Sequence, residues 1–128
     1  MNDDLQDRVL PWLIECFGQE IANDKVERCD RFIEEALELV QSAGWPKERA
    51  HQLVEYVYGR PEGEIEQEVG GVMITLAALC LAHDVNMHEA GEKELTRIWG
   101  KIDKIRQKQA SKPTGSSLPI STKHGDFS

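Results

Sequence analysis

Aromatic residues make up only 6% of the 128 positions. The core must therefore come from Leu, Val, Ile and Ala, which leans towards helices. No segment alternates apolar and polar residues with period two, so no strand is expected, and there is no internal repeat. Basic residues are also short, 15 Lys and Arg against 23 Asp and Glu, for a formal net charge of −8. A general binder of nucleic acid polymers needs a basic surface, so that class is excluded. An acidic chain can still take a phosphate ligand if a divalent cation screens its carboxylates. The cysteines Cys16, Cys29 and Cys80 are odd in number and form no CxxC pair. A reduced, cytoplasmic compartment fits, with Cys29 and Cys80 as small core residues. The start, Met1-Asn2-Asp3-Asp4, lacks the basic opening of a signal peptide. The longest apolar run, Val72 to Ala82, is too short to span a bilayer. There is no GxxxxGK[ST] loop and no GxSxG, so neither P-loop hydrolysis nor serine-esterase chemistry is supported. His51, His83, His88 and His124 are scattered without metal-ligand spacing.

What is present is helical pattern at soluble, globular composition, 40% hydrophobic and 30% charged. One all-α domain over 1–110, a bundle of about five helices, is expected, with a Pro/Ser/Gly-containing flexible tail over 111–128. Asp3 or Asp4 caps a first helix that contains Pro11 and ends at Phe17-Gly18. Asn23 caps a second, whose apolar stripe is Val26, Cys29, Ile33, Ala36, Leu37 and Val40, stopped by Gly44. Trp45-Pro46 opens a third, closed by Gly59-Arg60-Pro61. A fourth runs from about Glu62 to His83. Asn86 and Glu89 form a capping box for a fifth, from Met87 to about Gln109.

Two glutamate groups could carry chemistry. Glu34, Glu35 and Glu38 lie on the second helix, and Glu64 and Glu68 open the fourth. Residues three or four apart share a helical face, so Glu35 with Glu38, or Glu64 with Glu68, can reach one hard cation. Periodicity alone reads Glu34 and Glu38 as an ordinary solvated face, opposite Ile33 and Val40. The fourth helix is different, because from Val69 to Ala82 it is apolar on nearly every side. Glu64, Glu68, Gly71 and Thr75 fall on one narrow stripe of it. That stripe suits either a polar cleft or a close helix–helix contact, and both readings bring another helix or subunit near. Carboxylates buried together must pair, protonate or bind a cation.

These residues resemble a known family. Arg31-Phe32-Ile33-Glu34-Glu35-Ala36-Leu37-Glu38-Leu39 is similar to the EExxE helix of MazG-like all-α nucleoside triphosphate pyrophosphohydrolases. Glu68-Val69-Gly70-Gly71-Val72-Met73-Ile74-Thr75-Leu76 is similar to that family's second motif, ExxD followed by an apolar helix. His83-Asp84-Val85-Asn86-Met87 falls where the family has a short turn. The resemblance spans roughly residues 24–108. It departs at Gly71, which stands where the family has Asp, and Glu64 on the same face is the stand-in. The Trp45–Tyr58 helix lengthens the spacing between the motifs. Trp12, followed by Phe17-Gly18, resembles a phage-associated branch acting on purine deoxynucleotides.

The resemblance implies hydrolysis of a (d)NTP, a purine dNTP such as dGTP for that branch, to (d)NMP and pyrophosphate. It implies Mg²⁺, with Mn²⁺ as substitute, on Glu35, Glu38, Glu64 and Glu68. Glu34, Glu35 and Glu38 are the catalytic set, with Glu34 a further ligand or the base that orients water. It also implies a homodimer or homotetramer. For the substrate, Trp12 is a candidate for stacking on the base, or else a core residue. Arg97, Lys101 and Lys104, at i, i+4 and i+7 on the fifth helix, are a candidate phosphate clamp or a solvated basic face. Two rival readings stand beside the enzyme: a non-catalytic helical interaction module, and a nucleotide-binding regulator with a degenerate metal site.

Overall fold

A computed structural model of the chain describes residues 4–111. Asp3 and the tail from residue 112 onward lie outside the described residues. The architecture is all-α, with α1 Leu5–Ala22, α2 Lys25–Ser42, α3 Lys47–Tyr58, α4 Ile65–Ala82, α5 Met87–Trp99 and α6 Ile102–Ala110. No strand occurs among the described residues.

The helix ends follow local chemistry. Asp4 caps α1 by accepting the Asp7 N–H at 3.1 Å. Pro11 is accommodated inside α1, and the helical geometry breaks at Gly18, whose φ of 77° suits a residue without Cβ. The helical path then resumes as far as Ala22. The cap of α2 is Asp24 rather than Asn23: Asp24 Oδ1 accepts the N–H groups of Val26 at 3.1 Å and Glu27 at 3.2 Å. Asn23 instead ends α1, its N–H donating to the Gln19 carbonyl while the Asp24 N–H donates to the Ile21 carbonyl, both at 3.1 Å. A carboxylate is the stronger acceptor at a helix N-terminus, where the dipole favours negative charge. At the end of α2, Gly44 takes φ 83°, and Trp45 N–H reaches back to the Val40 carbonyl at 3.0 Å. This is the glycine-closed C-terminal turn expected there. The end of α4 repeats that turn with Asp84 in the left-handed region at φ 57°, and Val85 N–H bonds the Cys80 carbonyl at 2.9 Å.

The expected fifth helix is two helices. Gly100 and Lys101 separate α5 from α6, with Lys101 at φ −120°, ψ 20°. Glycine is a poor helix former, and Gly100 stands at the seam, where the Gly100 and Lys101 N–H groups close turns onto the Arg97 and Ile98 carbonyls. α4 begins at Ile65, so Glu64 is its capping residue and makes no side-chain cap bond.

The described residues divide into two compact units, one of 4–34 with 88–111, the other Glu35–Met87. In the first unit α1 packs on α6. Its core is Cys16 and Ile105, with Trp12, Phe17, Ile98 and Ile102 packed around them. Ile105 is fully buried, worth about 1.5–3 kcal/mol. Burial pushes the Cys16 thiol up, with Arg106 pulling it the other way. Cys29, expected in the core, is exposed. The α2 stripe that carries it has no apolar cover at that point, and Val26 and Ile33 on the same stripe are exposed too.

The second unit holds the end of α2, all of α3 and α4, and the first residue of α5. Not one of its residues is buried. Ile65, Ile74 and Leu81 of α4 stand 84%, 71% and 82% exposed. Cys80, also expected in the core, is only partly covered. The helix is longer than the apolar run within it. Its 18 residues suffice, by length and composition, to cross a membrane.

In the first unit, Arg8 grips Glu92 with both guanidinium nitrogens at 2.6 and 2.7 Å. That hydrogen bonding holds the Glu92 carboxyl below the usual carboxylate range, against a smaller opposing effect of burial. A depressed carboxyl stabilises the fold above its unfolded pKa, and this is lost as pH falls through the folded value. We expect the urea midpoint of the wild type to fall more steeply than that of Glu92→Gln on acidification through and below the ordinary glutamate range. Equal slopes would show that the pair contributes nothing.

Candidate functional site

The candidate ligands lie on two helices. Glu34 is half-buried on α2 with its Oε1 2.7 Å from Arg31 Nη1, so an i,i+3 ion pair already satisfies part of that carboxylate. One residue on, Glu35 is exposed, and Glu38, one turn further, is half-buried. Glu64 and Glu68 bracket the first turn of α4, and both are exposed. The Glu68 N–H closes that turn on the Glu64 carbonyl at 2.9 Å. Among the described residues of one chain, no three His, Cys, Asp or Glu side chains come together in a way that could hold a metal ion. Glu35 and Glu38 on α2 and Glu64 and Glu68 at the start of α4 lie in the second unit without gathering into such a group, and Glu34 belongs to the first unit.

The rest of the α4 stripe is open. Thr75 turns its hydroxyl back to the Gly71 carbonyl at 2.9 Å, so this polar group is satisfied within the helix. A Cβ added at Gly70 or at Gly71 would meet nothing within 4 Å. The close helix approach that two adjacent glycines permit is therefore not made among the described residues.

The substrate candidates lie in the first unit. Trp12 is a core residue by its contacts. Its Nε1 donates to the Ile98 carbonyl at 3.1 Å, and its ring meets Phe17 edge-on at 6.0 Å between centroids. Arg28 lies over the other partner in that pair, 4.8 Å from the Phe17 ring centre. Arg97 is bound to Glu94 one turn back, Nε to Oε1 at 2.9 Å. Arg97, Lys101 and Lys104 do not form the continuous face expected of one long helix. Arg97 ends α5, Lys101 stands at the break, and Lys104 belongs to α6.

Sequence reasoning passed over one feature. Where α3 ends and α4 begins, a hollow of about 700 Å³ is lined by Val57, Tyr58, Arg60, Pro61, Gly63 and Glu68, among others. Arg60 lies flat over the Tyr56 ring, 4.2 Å from its centre, with Nη1 3.5 Å from the Tyr56 hydroxyl. The Glu68 carboxylate folds back over Gly63, into the space that a Cβ there would occupy. The signal was an arginine between a helix-ending glycine and a proline, next to a tyrosine, which reads first as a mere helix stop.

Gly63 thus sets the Glu68 rotamer by being small. Because the neighbour is the far end of a flexible side chain, Gly63→Ala should leave stability within about 1 kcal/mol of wild type. It should also swing the Glu68 carboxylate away, read as a shift of the Glu68 carboxyl carbon in NMR. An unmoved resonance would contradict the close approach. Comparison of the chain with protein-family models, with curated proteins and with solved structures finds no match.

Proposed function

We propose that the chain is a metal-dependent nucleoside triphosphate pyrophosphohydrolase, working as a homodimer or homotetramer. It converts a (d)NTP and water to (d)NMP and pyrophosphate, with a purine dNTP such as dGTP as the leading substrate. The observation that carries this reading is the second unit, Glu35–Met87. It places two glutamate-bearing helix segments in one body, leaves Glu35, Glu64 and Glu68 exposed, and buries none of its apolar residues.

The donor chemistry fits Mg²⁺ or Mn²⁺, because the side chains on offer are carboxylates. Glu35, Glu38 and Glu68 would hold the ion, with Glu64 taking the role that Gly71 cannot fill. One chain does not assemble three of them, so the set is complete only when a second copy lays its own helices alongside. Bound there, the ion supplies charge neutralisation on the phosphates and a more acidic water. In this reading Glu34 would be either a further ligand or the base that orients the attacking water, whose oxygen would bond to the α-phosphorus as the bond to pyrophosphate breaks. Arg31 donates to one oxygen of the Glu34 carboxylate at 2.7 Å. A membrane-spanning role for α4 is less well supported. Its first turn carries two carboxylates, Glu66 and Glu68.

A second reading, the non-catalytic interaction module, is favoured by Gly71 and by the exposed apolar surface itself. Incubation with Mg²⁺ or Mn²⁺ and a panel of NTPs and dNTPs decides between them. The hydrolase releases pyrophosphate, stops with EDTA, and loses about 100-fold or more of its rate in Glu38→Gln. Metal-dependent nucleotide binding without turnover would make the chain a regulator. Neither binding nor turnover leaves the interaction module.

A further inference from the structure

The hollow between α3 and α4 brings four kinds of group together inside one unit. Arg60 supplies a guanidinium with no carboxylate in salt-bridge range among the described residues. Stacking on the Tyr56 ring fixes that guanidinium in advance, so little side-chain freedom is lost when an anion arrives. Glu68 supplies a carboxylate on the opposite wall. Tyr58, 86% exposed, supplies a ring with no packing partner of its own on most of its surface. The start of α4 supplies backbone N–H groups that no side chain caps, since Glu64 makes no cap bond. A volume of about 700 Å³ falls in the range of small-ligand sites and admits a nucleotide.

We propose that this hollow seats the nucleotide, with Arg60 on its phosphates and Tyr58 against its base. The inference rests on the pyrophosphohydrolase reading and deepens it. A triphosphate carried by a divalent cation needs a carboxylate for the cation, a fixed fork for phosphate oxygens and a flat face for the base, and these walls offer one of each. Arginine is the right cation for the task, because its planar fork matches two phosphate oxygens at once. The assignment moves phosphate recognition from Arg97, Lys101 and Lys104 to a residue beside a proposed metal ligand. Pro61, next in the chain, restricts the backbone between Arg60 and α4.

The test uses the full chain and pyrophosphate release over a range of dNTP concentrations at saturating Mg²⁺. Arg60→Gln should raise KM by about tenfold or more, and Arg60→Lys should recover part of that loss as a point charge. Tyr58→Ala should weaken binding of a non-hydrolysable dNTP analogue, measured calorimetrically. A wild type that hydrolyses dNTPs while Arg60→Gln keeps its KM would overturn this inference and leave the hydrolase standing. A wild type that neither hydrolyses nor binds the analogue would overturn both. Far-UV circular dichroism of each variant separates these outcomes from loss of fold.

Discussion

The three helical segments between Glu35 and Met87 have apolar faces and nothing in the described chain to bury them against. Most of the behaviour argued above follows from that imbalance. Each large aliphatic side chain left in water forgoes about 1.5–3 kcal/mol. A helix of α4's length has little stability of its own without packing. Leu53, Val54 and Val57 of α3 and Val69, Met73 and Ile74 of α4 are all exposed. A second copy presents the same faces in return, which is the simplest complement to an all-round apolar helix. Gly70 and Gly71, open on the surface of α4, mark where a helix can approach most closely.

The first unit is the counterexample within the same chain. There α1 and α6 close over Cys16 and Ile105. The polar edges are tied down by Arg8 on Glu92 and by Arg106, whose Nε donates to the Glu15 carbonyl at 3.1 Å. Although Val26, Cys29 and Ile33 of α2 in the same unit stay exposed, the groups where α1 and α6 meet are already engaged with one another. That explains why Trp12, bonded to Ile98 and packed on Phe17, reads as structure, and why Arg97 is occupied by Glu94. The unfinished unit holds the glutamates and the hollow. Under the proposed function, apolar cover and cation binding would be coupled there, because closing carboxylates together in a drier setting requires a counter-charge.

The fold class was legible because helix signals in this sequence are local. Asp4 and Gly44 fall at helix ends, and each acts through its own backbone neighbours. What failed was also local. Asp24 outcompetes Asn23 by one position because a carboxylate caps better than an amide. Gly100 looked like a tolerated glycine inside one long helix, yet the chain closes a turn there. Burial was not legible. The α2 stripe through Cys29 and Ile33 has correct helical periodicity, but periodicity says only that a face wants cover, not that the chain provides it. The same holds for the candidate site. The sequence places Glu35, Glu38 and Glu68 on helices and Glu64 at a helix start, whereas no local signal says whether they converge. Arg60 was hidden because Gly59 and Pro61 on either side announce a helix stop so strongly.

Sedimentation velocity over a wide range of protein concentration tests the central claim most directly. A discrete species of two or four chains, persisting into the low micromolar range, is the result this account requires. A monomer at every concentration, with full helical content and cooperative unfolding, would mean that the chain covers its own α4 and needs no partner copy.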